Sequence, residues 1–436
     1  MSGAGVSGPD ARRLAVFALT YLFVAFPHLG ARLGVRLTRP AAALVGAVAM
    51  VTVGGLSLRA AYAAVDLDVL AFLLGVLLLV GYLELAGVFT WAAGAVVARA
   101  RSPRVLLAAV VLVSGIASAF VMNDTMCVIL TPLVVVAVRR LGHRPLPYLL
   151  GVALASNVGS AMAITGNPQN MVIGLASGIG FGPFLMALAP ASLGGLALVF
   201  GVLALAFRRE LAPSAPEAAG GGGTPAPAAG PGPGDADDPP LDRGLAVLAT
   251  AVFAAAVAGW LAGLSLPLVA LGAAAVLITT ARRDPGAVIA GVDWPLLLFF
   301  AALFVVTRGV QDTPPVVAGT AAALGQLRGA GVRDAAVVSG AMLVLSNLVS
   351  NVPAVLLWRP AVGALPHARF VWLAMAMSST FAGNLTLLGS MANLIVAERA
   401  GARGEPLGFW DYLRVGVPVT LLTTAWGVAA LALFGR

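Results

Sequence analysis

The sequence has little charge and few residues that could build a metal or redox site. Only 10% of its 436 residues are Asp, Glu, Lys or Arg, whereas 60% are hydrophobic. Soluble domains carry about 25% charged residues, so this composition predicts a surface that faces mostly lipid. One cysteine, Cys127, excludes an internal disulfide framework and a CxxC metal site. The three histidines, His28, His143 and His367, are too far apart in sequence for zinc or haem spacing.

Motifs for catalysis or nucleotide binding are missing as well. The sequence contains no hydrolase triad, P-loop or Rossmann turn, so we predict neither an enzyme nor a resident cofactor. A membrane-embedded enzyme would need a convergent acid–base pair or metal ligands. The formal net charge is +8, but the arginines separate apolar runs and form no stripe, which argues against a nucleic-acid partner.

Apolar runs of roughly 15 to 25 residues recur along the chain, and about 20 such residues span a bilayer. The first run lacks an A-x-A cleavage pattern, so we expect a retained span. Two shorter runs, 86–99 and 314–328, are expected along the membrane interface. Spans are predicted near 14–27, 41–58, 67–83, 146–174, 183–207, 243–263, 266–281, 294–311, 370–397 and 409–433.

Three segments differ from these simple spans. Residues 210–242 are rich in Pro, Gly and Ala and bury nothing, so we expect a disordered linker between a first unit, 1–209, and a second, 243–436. Residues 105–138 and 335–362 are apolar at both ends and polar in the middle. That pattern predicts re-entrant helical hairpins whose tips lie at membrane depth, shielded by protein. The alternative for each is one long kinked span.

The two units are copies of each other. Each holds five spans and one hairpin, and because five is odd the second copy must enter the membrane upside down. The predicted fold is therefore an all-α membrane protein of about ten transmembrane helices plus two re-entrant hairpins in two inverted repeats, which is typical of alternating-access transporters. The matched residues are Ser118 and Asn123 with Ser346 and Asn351 (offset 228), Gly166 and Asn170 with Gly389 and Asn393 (offset 223), and Val65-Asp66 with Val292-Asp293 (offset 227).

Arginines flank the first hairpin at both ends and predict its orientation. Short cytoplasmic loops carry an excess of basic residues, so the ends of this hairpin should face the cytoplasm and, by inversion, those of the second should face outside. The flanking residues are Arg99, Arg101, Arg104, Arg139, Arg140 and Arg144. We expect a multi-pass protein of a bacterial-type inner membrane.

The hairpin tips are the first candidate site. Opposed helix ends there offer backbone N–H groups to an anion, while carbonyl, amide and hydroxyl oxygens suit a hard cation such as sodium. The Asp124 carboxylate lies in the middle of an apolar segment and could carry a coupling proton or neutralise a sodium ion. Capping of the hairpin helices is the simpler alternative. The tip residues are Asn123, Asp124 and Thr125 in the first copy and Ser350 and Asn351 in the second; all except Asp124 are sodium candidates.

The broken spans supply the second candidate site. Pro168 removes a backbone donor and kinks its helix, and Gly166 and Gly389 permit unwinding. Freed backbone groups at the midplane are tolerated only beside a polar cavity, so we expect these segments to line it; packing of small residues between spans is the alternative. The candidates are Asn157, Gly166, Asn167, Pro168 and Asn170 in the first copy and Asn384, Gly389, Ser390 and Asn393 in the second.

Four segments resemble the ion transporter superfamily: SAFVMNDTMCVILTPLVV, SNVGSAMAITGNPQNMVIG, SNLVSNVPAVLL and AGNLTLLGSMANLIVAE. The nearest branch is that of arsenite-permease-like and citrate-permease-like proteins, related to the divalent anion:sodium symporters. In sodium-coupled dicarboxylate relatives each tip carries a Ser-Asn-Thr triplet that binds sodium and the carboxylate. Here Ser350-Asn351-Val352 keeps two of those residues. Asn123-Asp124-Thr125 departs from the triplet and resembles the Asn-Asp pair of arsenite-permease-like relatives, which is compatible with proton coupling.

The resemblance also implies an elevator-like movement of hairpins and broken spans against a scaffold, and relatives are often homodimers. We therefore predict a secondary active transporter of a small anion or oxyanion (arsenite-like, carboxylate or inorganic), coupled to a Na⁺ or H⁺ gradient. A sodium/proton antiporter of the same fold, in which Asp124 exchanges cations, is the alternative. The expected partners are the small-molecule anion, the lipid bilayer and a second copy of the chain.

Shortening the linker tests whether 210–242 merely connects the two units. Deleting about 20 of these residues should leave membrane insertion and transport unchanged, because a Pro/Gly/Ala segment contributes reach and no packing. Uptake by vesicles containing the shortened and full-length proteins measures this. Normal insertion with lost uptake would show instead that the segment regulates transport.

Overall fold

The computed structural model describes residues 7–26, 29–30, 34, 37–99, 102–212 and 241–435. Within these ranges the chain forms helices and no strand, which confirms the predicted all-α class. The expected linker lies outside the described residues from 213 to 240, and so does His28.

Twenty α-helices and two short 3₁₀ turns follow one another in the described residues. The first unit contains α1 (Gly8–Ala25), α2 (Arg39–Thr52), α3 (Leu58–Ala64), α4 (Leu67–Leu85), α5 (Val88–Arg99), α6 (Pro103–Phe120), α7 (Asn123–Arg140), α8 (Leu146–Ser160), a turn at Ile164–Gly166, α9 (Pro168–Ser177) and α10 (Phe181–Ala206). The second contains α11 (Arg243–Leu261), α12 (Leu266–Thr280), α13 (Pro285–Ala290), α14 (Trp294–Gln311), α15 (Pro314–Leu324), α16 (Val332–Val349), α17 (Asn351–Val362), α18 (Ala368–Ala382), a turn at Leu387–Gly389, α19 (Met391–Gly401) and α20 (Phe409–Phe434).

Seven of the described helices are long and apolar enough to cross a membrane: α4, α6, α10, α11, α14, α16 and α20. Short polar side chains begin many helices by accepting a backbone N–H bond, as Asp66 does for α4 and Asp293 for α14. The span expected at 41–58 is wrong at its end, because α2 stops at Thr52. Gly55, with a positive φ of 71°, turns the chain there, and Ser57 caps the separate helix α3.

Both predicted hairpins are present as two helices joined by a tight break. In the first, α6 and α7 pack together; in the second, α16 and α17 do. Met122 (φ 51°) and Ser350 (φ 74°) form the breaks, in a region of backbone conformation that favours glycine. They are equivalent by the offset of 228, so the same strained geometry recurs in both copies. Neither residue caps the helix that follows with its side chain.

Reciprocal packing relates the two units. Helix α4 packs on α12 as α14 packs on α2, α6 packs on α8 as α16 packs on α18, and α7 packs on α19 as α17 packs on α9. The last helices of the two units, α10 and α20, pack on each other. Each of these contacts therefore has a counterpart with the units exchanged, as two inverted repeats require.

The helices divide into two groups by their contacts. The scaffold group comprises α1, α2, α4, α11, α12 and α14; the hairpin group comprises α6–α10 and α16–α20. Most helix packing falls within a group. Between the groups, α17 packs on α14, α9 on α4 and, less extensively, α10 on α11. Helices α5 and α15 belong to neither group and contact both.

Cysteine labelling tests the predicted orientation. Leu141 follows the end of α7 and is 44% exposed, and Gly363 follows the end of α17 with open space around it. In a Cys127→Ala background, Leu141→Cys should resist a membrane-impermeant thiol reagent in intact cells and Gly363→Cys should react with it. The opposite pattern would reverse the orientation while leaving the repeats intact.

Candidate functional site

The two broken spans meet at the centre of the hairpin group. Asn157, near the end of α8, is 1% exposed, and its side chain contacts residues of both repeats. Its Oδ1 accepts hydrogen bonds from Asn123 Nδ2 and Ser390 Oγ, both at 2.9 Å. Its Nδ2 donates to Asn384 Oδ1 and Asn393 Oδ1, also at 2.9 Å. One amide therefore joins the first hairpin tip to the second broken span.

An equivalent hydrogen bond joins the first broken span to the second repeat. Asn167 Nδ2, from the first broken span, donates to Thr380 Oγ1 of α18 at 3.2 Å. Asn167 and Ser390 are equivalent by the offset of 223, and so are Asn157 and Thr380. Both residues of the first pair, Asn167 and Ser390, thus bond to the helix that precedes the break in the other repeat. The two repeats are joined at their centre by exchanged contacts.

Two matched asparagines satisfy the backbone where each span is broken. Asn170 Nδ2 donates to the carbonyl oxygens of Ser160 (3.2 Å) and Ala163 (3.0 Å). Asn393 Nδ2 donates to those of Gly383 (2.8 Å) and Thr386 (3.2 Å). All three pairs of positions are related by 223. Breaking a helix frees carbonyl groups, and the amides replace the lost partners.

Glycines allow the broken ends to approach closely. A Cβ at Gly166 would overlap the carbonyl oxygen of Ser160, and one at Gly389 would lie 2.9 Å from that of Gly383. Pro168, fully buried, begins α9 at a position where its missing N–H costs nothing. These contacts explain why the breaks contain glycine at 166 and 389 and proline at 168.

The hairpin tips keep unused oxygen atoms. Asn123 is 4% exposed, and its Oδ1 has no hydrogen-bond partner; the Asn351 Oδ1 is likewise buried and unpaired. The hydroxyls of Ser118 and Ser346, equivalent by 228, are also buried and unpaired. Such groups are rare because leaving a buried polar atom unmatched costs about 1–3 kcal/mol.

The two hairpin tips differ in how deeply they are buried. Met122 and Asn123 are buried, whereas Ser350 is exposed and Asn351 is half-buried. The amide of Asn351 nevertheless lies beside Gly383, close to Ser390. The structure therefore brings both tips and both broken spans into one continuous polar region.

Two predicted residues lie at its edge. Asp124 and Thr125 follow Asn123 in the first turn of α7, are half-buried, and among the described residues do not enter the network of Asn157. Asp124 lies within electrostatic range of Arg39, whose guanidinium contacts Met391 of α19. No group of three or more His, Cys, Asp or Glu side chains that could hold a metal ion occurs in the described ranges.

Residues that the sequence analysis missed include Thr380 and Gln169, whose Nε2 also donates to Thr380 Oγ1 at 3.2 Å. Thr380 is the equivalent of Asn157 by the repeat offset of 223, so that offset could have identified Thr380 as a site residue. Arg39 had no such signal, because its equivalent in the second unit is Leu266.

Comparison with known proteins gives consistent matches. Residues 21–382 match the family described as CitMHS, citrate transporter. The silicon efflux transporter LSI3 of Oryza sativa subsp. japonica is 32% identical, over 95% of either chain. The transporter arsB of Dictyostelium discoideum is 26% identical over 97% of this chain and 92% of its own. The solved structure of the YdaH transporter of Alcanivorax borkumensis is 17% identical, with a TM-score of 0.54 over 98% of each chain, which is a likeness of fold.

Alanine substitutions test the close approach at the breaks. Gly166→Ala should lower the free energy of unfolding by about 1–3 kcal/mol, because the added methyl overlaps a carbonyl; Gly389→Ala should cost less, since its contact is looser. Gly201→Ala, in open space within α10, should be neutral or stabilising by up to about 1 kcal/mol. Thermal unfolding in detergent measures the series, and equal losses at all three positions would contradict the geometry.

Proposed function

The chain belongs to the citrate transporter (CitMHS) family, and on this premise we propose that it is a secondary active transporter of a small anion or oxyanion, coupled to an ion gradient. The single observation that carries this proposal is the polar region around Asn157, where both repeats meet and where oxygens of both hairpin tips lack partners. A buried, partly unsatisfied polar centre between inverted repeats suits a binding site for a small polar solute.

The charge of the region favours a weakly charged substrate. Its hydrogen-bonding side chains are amides and hydroxyls, which are neutral. Two charged groups lie at its edge: Asp124 follows Asn123 directly, and Arg39 contacts Met391. Burying a multiply charged carboxylate among neutral groups costs several kcal/mol for each uncompensated charge. A small oxyanion with at most one charge therefore fits better than a tricarboxylate. The names of the relatives, a silicon efflux transporter and arsB, support this choice.

Two arrangements of the tips support coupling to an ion. The Asp124 carboxylate, in the first turn of a hairpin helix, can carry a proton across the membrane. The unpaired Oδ1 atoms of Asn123 and Asn351, with the hydroxyls of Thr125 and Ser350, offer oxygen ligands that sodium accepts. These oxygens also suit the second candidate function, a sodium/proton antiporter in which Asp124 exchanges the two cations.

The two helix groups support alternating access of the elevator type. The polar region lies within the hairpin group, and the scaffold group touches that group through few helix pairs. Few contacts between two separately packed bodies allow one to slide past the other. The family and the apolar helices make this a multi-pass membrane protein; we propose a bacterial inner membrane as its location and a homodimer as its assembly.

Uptake into proteoliposomes tests the function. Silicic acid, arsenite, sulfate, citrate and succinate are offered under an imposed pH or sodium gradient. We expect accumulation of one of the smaller oxyacids and no accumulation of citrate. Sodium efflux driven by a pH gradient without any of these solutes would favour the antiporter, and no flux of any kind would contradict both functions.

The Asp124→Asn variant tests proton coupling. It should abolish accumulation against a gradient while keeping some exchange of labelled substrate, because the amide retains the shape of the side chain and loses the titratable proton. Asp284→Asn is the matched control, since Asp284 caps the surface helix α13 and asparagine caps equally well. Undiminished accumulation by Asp124→Asn would leave the binding site in place and exclude Asp124 as the proton carrier.

A further inference from the structure

A cavity of about 630 Å³ opens between the two helix groups, away from the polar region. The scaffold group contributes Asp66, Arg308 and Gln311 to its lining, and the hairpin group contributes Ala176, Leu356 and Arg359. Arg359 lies eight residues after Asn351 in sequence, about 12 Å along α17 at 1.5 Å per residue. The cavity therefore lies about that far from the second hairpin tip, towards the ends of the second hairpin.

Two polar contacts cross from one group to the other at this cavity. Arg359 Nη1 donates to Asp66 Oδ2 at 2.8 Å, and Gln311 Nε2 donates to the carbonyl oxygen of Leu356 at 2.8 Å. The side chains of Arg359 and Asp66 are 35% and 17% exposed, so the pair is partly shielded from water. Both contacts tie α17 to the scaffold.

The inverted repeat supplies an internal comparison. Asp66 is equivalent to Asp293, and each caps its helix through Oδ1. Arg359, however, is equivalent to Thr131, which donates to the Cys127 carbonyl within its own helix. Pro360 and Pro132 confirm this register, since they share the offset of 228. Asp66 and Asp293 thus both cap a helix, but only Asp66 has an arginine partner on the equivalent hairpin helix.

The hydrogen bond from Gln311 to Leu356 likewise has no counterpart at the equivalent position of the first repeat. Gln311 is equivalent to Glu84, whose carboxylate cannot donate and is exposed. The helix packing agrees: α17 packs on α14 and α9 on α4, whereas the equivalent pairs, α7 with α4 and α19 with α14, are not in comparable contact. The groups are closed against each other on the side of the second hairpin.

We propose that the Arg359–Asp66 ion pair, aided by the Gln311 bond, is a gate that holds the second hairpin against the scaffold and closes this side of the transport path. The cavity is the vestibule outside the gate, where a small anion can replace Asp66 as the partner of Arg359. This gate rests on the proposed transport function, but its opening can be measured without any substrate.

A buried cysteine reports the opening. Val172 is fully buried on α9 and lies one turn before Ala176, which lines the cavity, so the two share a helix face. In a Cys127→Ala background, Val172→Cys in nanodiscs is reacted with a polar maleimide. Asp66→Asn and Arg359→Gln should raise its labelling rate about two- to fivefold, the range for one partly exposed ion pair. Arg359→Lys should keep the slow rate.

The matched control is Asp293→Asn, which makes the same chemical change at the equivalent cap, where the described part of the chain forms no ion pair, and should leave the rate unchanged. High salt should speed labelling of the protein with an intact gate and leave Asp66→Asn unaffected, because salt screens the pair. Equal rates in gate variants and control, whether fast or immeasurably slow, would overturn the gate. Failed uptake of every tested solute, with the labelling pattern intact, would overturn the proposed function alone.

Discussion

The structure depends on satisfying backbone groups where a helix is broken inside a membrane. A bilayer offers no water to freed carbonyls, so a broken span needs its own donors. Asn170 and Asn393 provide these donors. Each lies on the helix after a break and donates to carbonyl groups where that break begins. With those carbonyls paired, the break can stay open, and the side chains of Asn167 and Ser390 are free to bond across to the other repeat. The unwound centre is thus a consequence of two amides in matched positions.

The repeats do more than duplicate a fold. Asn157 accepts a hydrogen bond from Ser390 of the second repeat, and Thr380 accepts one from Asn167 of the first. Each repeat therefore needs a side chain of the other to complete its polar centre. Where the copies differ, the difference is chemical: Asp124 stands opposite Val352, Arg39 opposite Leu266, and Arg359 opposite Thr131. Asn170 and Asn393, which both repeats have, pair the freed carbonyls, whereas Asp124, Arg39 and Arg359 each place a charge in one repeat only.

Much of this architecture follows from patterns that a sequence carries directly. The polar centres of two apolar segments indicated the hairpins, and their common offset located both tips, because a re-entrant turn leaves a local signature. The residues of the breaks were found for the same reason. The extent of α2 was missed because Gly54-Gly55 inside an apolar run leaves hydropathy unchanged while ending the helix. Arg39 and the Arg359–Asp66 pair were out of reach, since their contacts join residues hundreds of positions apart.

The strained tips connect the fold to its proposed movement. Met122 and Ser350 hold positive φ angles that cost of order 1–3 kcal/mol each, and the helices they precede start without a side-chain cap. A capped start would occupy the first N–H groups of α7 and α17, whereas an uncapped one leaves them available to an anion. A bound oxyanion would supply the missing acceptors and compensate for the strain at both tips at once. Binding would thereby link the two hairpin tips through one ligand, and in the proposed elevator movement that link would help the hairpin group to move against the scaffold as a unit.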